Sequence, residues 1–165
     1  MDKTIIYRWI IPIFAGLIVA LLTRRYIFFI ALVSSNSMCP VLKSGDRIFT
    51  RRIYNFHDIK RGDILVFYSG ELNSVLIKRV IGLPDDFVEV KDDGTVFVNK
   101  KRMKEPYVEL KGGIGGEFLV PEKKYLLLGD NRTYSRDSRY WAEPNISEKA
   151  IQGKAIFCVF PLHKI

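Results

Sequence analysis

The amino-terminal part of the chain is a long apolar segment that predicts a membrane-spanning helix. Trp9–Leu22 contains no charged residue, and extending the segment back to Ile5 brings it close to the roughly 20 residues that cross a bilayer core. Arg8 then lies near enough to the end to reach the headgroups, and Pro12 falls in the first turns, where proline is tolerated. A buried core helix is the alternative. We predict a membrane anchor over residues 1–25.

A cleaved signal peptide would also begin with such a segment. The residues that end it, Leu21-Leu22-Thr23-Arg24-Arg25, lack a small-x-small cleavage pattern, so we interpret the segment as an uncleaved anchor. Charge does not decide the orientation, because Lys3 and Arg8 precede the span while Arg24 and Arg25 follow it.

Beyond residue 25 the apolar pattern changes to short runs rich in Val, Ile, Phe and Tyr between turn signals, which is typical of a β-rich domain. Asp92-Asp93-Gly94 predicts a hairpin turn, since glycine tolerates the positive φ that such turns require. No repeat is visible, and we predict one domain over residues 26–165. The predicted strands are Tyr26–Val33, Arg47–Arg52, Asp63–Tyr68, Val75–Ile81, Phe87–Val90, Val96–Val98, Lys124–Leu128 and Ile151–Phe160.

A glycine-rich stretch, Gly112–Gly116, lies between two of these runs. A phosphate-binding loop would need a following Gly-Lys-Ser/Thr and a helix, and neither is present. We therefore predict a flexible connection.

Composition is that of an ordinary folded protein with excess positive charge. The 165 residues are 48% hydrophobic and carry a formal net charge of +8, which fits one compact domain plus an appendage. The charge suits nucleic acid, an anionic membrane surface or an acidic partner. Because the basic residues are scattered and no nucleic-acid-binding module is visible, we expect no nucleic-acid partner.

Cysteine and histidine are scarce. Cys39 and Cys158 form no CxxC or Cys/His cluster, which argues against a zinc site, and we expect no metal and no cofactor. A disulfide between them would suit an extracytoplasmic domain, but two buried free thiols are the expected state. The histidines are His57 and His163. His57 precedes Asp58 and invites a Ser-His-Asp interpretation, although an ordinary polar loop explains it better.

Three polar stretches carry candidate chemistry. Ser34–Pro40 predicts a turn directly after an apolar strand, where a bend can expose a hydroxyl. In Leu76–Ile81, strand alternation puts Lys78 on one face and Arg79 on the other. One of these cations must lie among apolar neighbours unless the strand bulges; the alternative is an edge strand from which both reach solvent. Gly129–Arg139 predicts either a solvated loop or an internal hydrogen-bond network.

Together these stretches resemble the motifs of bacterial type I signal peptidases. An amino-terminal anchor also precedes the serine motif, and the resemblance covers nearly the whole chain, in the compact Gram-positive-like form. It implies a mainly β fold, an antiparallel β-sheet catalytic domain preceded by one transmembrane helix. The matching motifs, in family order, are SxSMxP at Ser35–Pro40, RGDILVF at Arg61–Phe67, KRVIGLP at Lys78–Pro84 and GDNRxxSxDSR at Gly129–Arg139.

The resemblance implies a membrane-bound serine endopeptidase that removes signal peptides from exported preproteins after a small-x-small motif. Ser37 matches the nucleophile and Lys78 the general base. Ser35 matches the residue whose hydroxyl forms the oxyanion hole with the Ser37 backbone N–H. Ser135 matches the serine that orients the lysine amine. The remaining matches are Asp137 and Arg139 as a supporting ion pair, and Val33, Met38, Leu42 and Ile77 as the lining of shallow apolar substrate pockets.

The implied partners are secretory preproteins and membrane lipid, with the N-terminus cytoplasmic and the catalytic domain outside the cell membrane. The sequence does not fix an oligomeric state. It departs from the family pattern at Asp85, where glycine is usual, at Ser34, where proline is common, and at Thr133 and Tyr134. None of these departures removes a catalytic group.

A Ser–Lys pair makes one physical demand, since a serine hydroxyl needs a base. A lysine with a pKa near 10.4 is only about one part in a thousand neutral at pH 7.5, a deficit of roughly 4 kcal/mol. Burial in an apolar niche must therefore favour the neutral amine.

Three alternative functions account for fewer of the residues in these motifs. A self-cleaving repressor peptidase shares Ser–Lys chemistry but predicts a DNA-binding or regulatory arm in place of the anchor. A catalytically silent protein that binds signal peptides would not need an intact Ser37 and Lys78. A basic, membrane-associated nucleic-acid binder would reveal itself by salt-dependent retention on DNA.

Overall fold

The structure, a computed structural model, describes the backbone of residues 3–165 and the side chains from residue 7 onward. One helix, α1 (Lys3–Tyr26), precedes a body built from strands. Short 3-10 turns lie at Phe56–Asp58 and Glu148–Ala150. The strands are β1 (Phe28–Leu32), β2 (Arg47–Arg51), β3 (Ile64–Ser69), β4 (Ser74–Gly82), β5 (Phe87–Val90), β6 (Val96–Val98), β7 (Lys101–Arg102), β8 (Gly116–Leu119), β9 (Lys124–Leu128), β10 (Asn145–Ser147), β11 (Ile151–Phe160) and β12 (His163–Lys164).

Helix α1 has the length and surface of a membrane span. Its 24 residues extend for about 36 Å, against roughly 30 Å for a bilayer core. Within it, Tyr7–Tyr26 is apolar enough to cross a membrane, and none of that stretch is buried in the protein. Arg24 and Arg25 in the last turn suit the negative end of the helix dipole. The helix ends one residue beyond the predicted 1–25 anchor, and the division of the chain there remains a prediction.

The larger sheet is antiparallel throughout, in the order β1-β2-β11-β3-β4-β9-β10, with β12 paired to β11. Strand β2 alternates buried and more exposed side chains, whereas β3 and β9 are buried almost continuously because both faces of the sheet are covered there. Every predicted strand has a counterpart displaced by at most two residues at either end. The predicted mainly β, antiparallel fold is confirmed.

A smaller sheet, in the order β7-β6-β5-β8, lies beside it. The hairpin between β5 and β6 turns at Asp92-Asp93-Gly94, as predicted. Gly94 has a φ of +81°, and the Lys91 N–H donates to the Thr95 carbonyl at 2.9 Å.

The glycine-rich stretch is a partly exposed connection that leads into β8, and its glycines lie against Arg132 and Arg139. Gly113 has a φ of +96°, and a Cβ there would lie 2.6 Å from Nη1 of Arg139 and 2.9 Å from the carbonyl oxygen of Arg132. The Gly112 carbonyl accepts a hydrogen bond from Arg139 at 3.0 Å, and Gly116 already begins β8. The glycines are required here by a close approach of side chains as well as by backbone conformation.

A hydrophobic core packs directly beneath the segment that follows β1. Val33, Met38 and Leu42 from that segment are 3%, 1% and 0% exposed, and they pack against Ile48 of β2 and Val66 of β3. Each buried side chain of this size contributes about 1.5–3 kcal/mol. The core therefore holds the residues on either side of Ser37 in place.

Candidate active site

Ser37 lies in a loop, residues 34–46, that is closed at its base by two backbone hydrogen bonds. The Val33 N–H donates to the Asp46 carbonyl, and the Gly45 N–H donates back to the Val33 carbonyl, both at 2.8 Å. The side chain of Asn36 accepts from the Ser44 N–H at 3.0 Å. These bonds fix the loop, which we call the serine loop.

Lys78 reaches the serine loop from the middle of β4. Its Nζ lies 2.6 Å from Oγ of Ser37, and the two residues are 3% and 7% exposed. Strand β9 pairs only with Arg79–Gly82. On the edge of β4 that faces away from β3, the residues before Arg79 therefore have no partner strand in the described part of the chain.

Burial changes the acid–base character of Lys78. Loss of solvent lowers its pKa from the ordinary 10.5 to about 8, while the charges of Asp137 and Asp130 oppose this shift and Arg139 assists it. At pH 7.5 about a quarter of the amine is then neutral, against about one part in a thousand for a free lysine. The amine is therefore suited to accept a proton from the Ser37 hydroxyl.

Ser35 lies on the solvent side of this pair. Its hydroxyl is 3.2 Å from Oγ of Ser37, and the residue is exposed. A hydroxyl in this position can turn towards a substrate oxygen that approaches Ser37.

The segment Gly129–Arg139 docks on the serine loop. The Asn131 N–H donates to the Ser37 carbonyl at 3.1 Å, and its side chain donates to the Asn36 carbonyl at 3.3 Å. A Cβ on Gly129 would lie 2.5 Å from the Ser37 carbonyl oxygen, so only glycine permits this approach. Of the two structures predicted for this segment, the internal network is the one that forms.

Asp137 and Arg139 form a fully buried ion pair. Nε of Arg139 lies 2.8 Å from Oδ1 of Asp137, and both side chains are 0% exposed. Oδ2 of Asp137 accepts from the Gly129 N–H at 2.9 Å, and Nη2 of Arg139 donates to the Arg132 carbonyl at 2.8 Å. The pair therefore connects both ends of the segment that contacts Ser37.

Ser135 is buried at 2% exposure, and its Oγ has no hydrogen-bond partner within the described chain. Its hydroxyl would lie only 2.1 Å from a Cβ built on Gly129, which puts it beside the contact with the serine loop. No hydrogen bond joins it to Lys78, so its orienting role remains a prediction.

Two further buried ion pairs support the site and were not predicted. Arg79 donates to both carboxylate oxygens of Asp130 at 2.8 and 2.6 Å, and its guanidinium lies 4.0 Å from the centre of the Tyr107 ring. Arg132, which is 0% exposed, donates to Glu105 at 3.1 Å. The available signal was the density of charged residues in Gly129–Arg139, which contains both Asp130 and Arg132.

An open cleft of about 280 Å³ runs between β1 and the free edge of β4 to Ser37 and Lys78. Leu42 does not line it, because this side chain is fully buried in the core below. Of the predicted pocket residues, those at the cleft are Val33, Met38 and Ile77.

His57, the alternative base, does not line this cleft. His57 is exposed on the 3-10 turn Phe56–Asp58. Both cysteines are free thiols; Cys158 is buried and Cys39 is half-buried.

Comparison with known proteins gives consistent matches. The profile of the family described as "Signal peptidase, peptidase S26" matches residues 6–160. Signal peptidase I of Bacillus licheniformis is 37% identical, covering 99% of this chain and 93% of its own. Signal peptidase IB of Staphylococcus aureus (strain COL) is 35% identical over 96% and 92%. The crystal structure of a signal peptidase I from Enterococcus faecalis V583 superposes with a TM-score of 0.51 at 30% identity, covering 59% of this chain and 96% of that chain.

Proposed function

This chain belongs to the signal peptidase family, peptidase S26, and we propose that Ser37 and Lys78 are its catalytic pair. The chain is a membrane-associated serine peptidase that removes signal peptides from secretory preproteins. The observation that carries the proposal is the 2.6 Å separation of Nζ and Oγ in a site where burial brings the pKa of Lys78 to about 8.

In the proposed reaction, Oγ of Ser37 attacks the scissile carbonyl carbon while the neutral Lys78 amine takes the hydroxyl proton. The resulting ammonium returns that proton to the leaving amine as the C–N bond breaks. A water molecule then attacks the acyl-enzyme, and Lys78 again accepts and returns the proton. A buried ammonium is disfavoured, so the lysine gives up its proton readily at each step.

The oxyanion hole is proposed to consist of the Ser35 hydroxyl and the Ser37 backbone N–H. The support is the 3.2 Å distance between the two Oγ atoms together with the exposure of Ser35 to the cleft. A well-placed donor to the developing oxyanion contributes about 3–4 kcal/mol.

Ser135 is proposed to orient the Lys78 amine. A buried hydroxyl without a partner costs about 1–3 kcal/mol, and a functional role would explain why this cost is retained at Ser135. Asp137 and Arg139 are proposed to hold the segment in place. Because Arg139 neutralises Asp137, the carboxylate perturbs Lys78 less than a free one would.

The substrate is proposed to bind as an extended strand in the cleft between β1 and the free edge of β4. Backbone groups on such edges pair with an added strand, and the side-chain pockets then select alternate residues. Val33, Met38 and Ile77 give the cleft an apolar lining near Ser37, and we propose that this lining selects the small side chains of a small-x-small motif.

Helix α1 is proposed to cross the membrane once, with the N-terminus cytoplasmic and residues 26–165 outside. Its support is the unburied apolar surface of Tyr7–Tyr26. A preprotein is held in the same bilayer by its own apolar segment, so tethering both partners raises their effective concentration.

The test is preprotein processing by the full chain in lipid vesicles. We expect Ser37→Ala and Lys78→Ala each to abolish cleavage after Ala-x-Ala, while the exposed-site controls Ser44→Ala and Lys60→Met cleave normally. Cleavage at the wild-type rate by either active-site variant would exclude the proposed pair.

A further inference from the structure

Three side chains of metal-ligating types meet behind the serine loop; Cys158 and His163 are close in sequence, and Asp46 is distant from both. The carboxylate of Asp46, the thiol of Cys158 and the ring of His163 each offer one ligand atom, and these atoms lie within 4.8 Å of one another. Around Zn²⁺ in tetrahedral coordination, neighbouring ligand atoms lie about 3.3–3.8 Å apart. A closure of about 1 Å by side-chain movement would therefore complete the set.

Strand register fixes this cluster. Cys158 on β11 is directly opposite His163 on β12, and on its other side it is opposite Ile48 on β2. Asp46 stands immediately before β2. Hydrogen-bonded strands hold the backbone of Cys158 and His163, and the Asp46 carbonyl, at the end of the serine loop, accepts a hydrogen bond from the Val33 N–H at 2.8 Å.

The donor types select a class of metal. One sulfur, one imidazole nitrogen and one carboxylate oxygen suit a borderline-soft divalent ion such as Zn²⁺, whereas Mg²⁺ and Ca²⁺ prefer oxygen ligands alone. Cys158 and Asp46 are 0% and 5% exposed, so two of the donors are already shielded from water. Three protein ligands leave a fourth position for a water molecule.

Neighbouring backbone groups contact all three ligands, and the Cys158 thiol donates to the carbonyls of Arg47 at 3.5 Å and Phe160 at 3.4 Å, contacts that it gives up when it becomes a thiolate. Oδ2 of Asp46 accepts the Lys43 N–H at 2.8 Å. The His163 ring lies between two backbone carbonyls, with Nδ1 3.0 Å from Pro161 O and Nε2 3.1 Å from Val41 O. Whichever nitrogen binds a metal, the other keeps a carbonyl acceptor, which is the usual supporting contact of a metal-bound histidine.

A cavity of about 530 Å³ gives access to the cluster, with Asp46, His163 and Val41 in its wall. It is separate from the cleft that holds Ser37 and Lys78. An ion and its water ligand can therefore reach the cluster without entering the proposed active site.

We propose that Asp46, Cys158 and His163 form a Zn²⁺ site behind the serine loop. On binding, the Cys158 thiol loses its proton to solvent and coordinates as the thiolate, and water fills the fourth position. Because the assembled cluster binds Zn²⁺ more tightly than the unfolded chain does, Zn²⁺ raises the unfolding temperature of the protein. The site is independent of the proposed catalytic pair.

The test uses the full chain in detergent, freed of metal with a chelator and titrated with Zn²⁺ by calorimetry. We expect one ion per chain, and on titration with Co²⁺ a thiolate-to-metal charge-transfer band. Cys158→Ala and His163→Ala should each weaken Zn²⁺ binding by at least about 10-fold. Cys39→Ala and His57→Ala are matched controls, one for each residue type, and should bind like the wild type.

The same titration of Ser37→Ala separates this proposal from the catalytic one, since that variant should still bind Zn²⁺. Asp46→Asn, which can still accept the Lys43 N–H, provides a second ligand variant if Cys158→Ala does not fold by circular dichroism. Wild-type affinity in the ligand variants, or no charge-transfer band with Co²⁺, would overturn the site.

Discussion

On β4, two consecutive cations point to opposite faces of the sheet, and both are buried. Arg79 meets the Asp130 carboxylate through two hydrogen bonds and stacks on the Tyr107 ring. Lys78 instead meets the Ser37 hydroxyl. One cation keeps its charge by means of a partner, and the other is free to give its charge up.

The difference follows from the chemistry of the two side chains. A guanidinium does not lose its proton in a protein, so its burial requires a counter-ion, whereas a lysine can become neutral. Burial raises the pKa of Asp130 even though Arg79 donates to it. Desolvation therefore opposes the ionisation of Asp130, and its hydrogen bonds to Arg79 offset part of that cost.

The largest expected effect comes from Lys78→Met, which removes the neutralisable cation but keeps an unbranched side chain. We expect kcat/KM for a preprotein to fall by more than about 10⁴-fold, because the base is lost. Stability should rise by about 3 kcal/mol at pH 7, since the folded protein no longer buries an amine whose pKa is lowered from 10.5 to about 8.

Denaturant unfolding at several pH values checks the predicted gain in stability of Lys78→Met. It should be complete below pH 8 and vanish as the pH rises from 8 to 10.5, where the free amine also becomes neutral. A variant that is less stable than the wild type at pH 7 would contradict the desolvation argument.

Asp130→Asn tests the ion pair on the other face of β4, where Arg79 lies. It leaves Arg79 buried without its counter-ion, and we expect a loss of about 3–5 kcal/mol in the free energy of unfolding. Replacing both partners, as Arg79→Met with Asp130→Leu, should cost less than the single change. The exposed pair Lys124–Glu143, whose atoms are 3.7 Å apart, supplies the control: Glu143→Gln should change stability by less than about 1 kcal/mol.

Ser35→Ala tests the proposed oxyanion-hole hydroxyl and leaves Lys78, the proposed base, unchanged. We expect kcat to fall by about 10²–10³-fold with little change in KM, because the lost donor acts on the transition state. Restoration of most of the activity by Ser35→Thr would support the hydroxyl role. Equal losses in the two variants would point to packing instead.

The smallest effect is the pH dependence. With the pKa of Lys78 at about 8, kcat/KM should rise about tenfold per pH unit below that value and level off above it. His57→Ala, which changes an exposed residue, should leave the profile unchanged. A profile that changes in His57→Ala would assign the base to that histidine instead of Lys78.

The sequence predicted most strands because alternation and β-branched residues specify them locally. It missed β7, β10 and β12, which contain only two or three residues each, so their partner strands decide their conformation. It also missed β8, whose start lies inside the glycine-rich stretch.

For the site, alternation required one of Lys78 and Arg79 to be buried, and the structure buries both. The reason lies in Asp130, which is distant in sequence and supplies the missing charge. The same limit applies to the proposed zinc ligands. The spacing of Cys158 and His163, five residues apart, is visible in the sequence, but only the fold brings Asp46 beside them.

The join between α1 and β1 has a mechanical consequence. Only Ile27 separates them, its N–H donates to Thr23 at 2.8 Å, and the Arg52 N–H donates to its carbonyl at 2.9 Å. With α1 in the bilayer, as proposed, this stiff junction sets the height of the nucleophile above the lipid. The enzyme would then cut only those peptide bonds that lie at one fixed distance from the membrane surface.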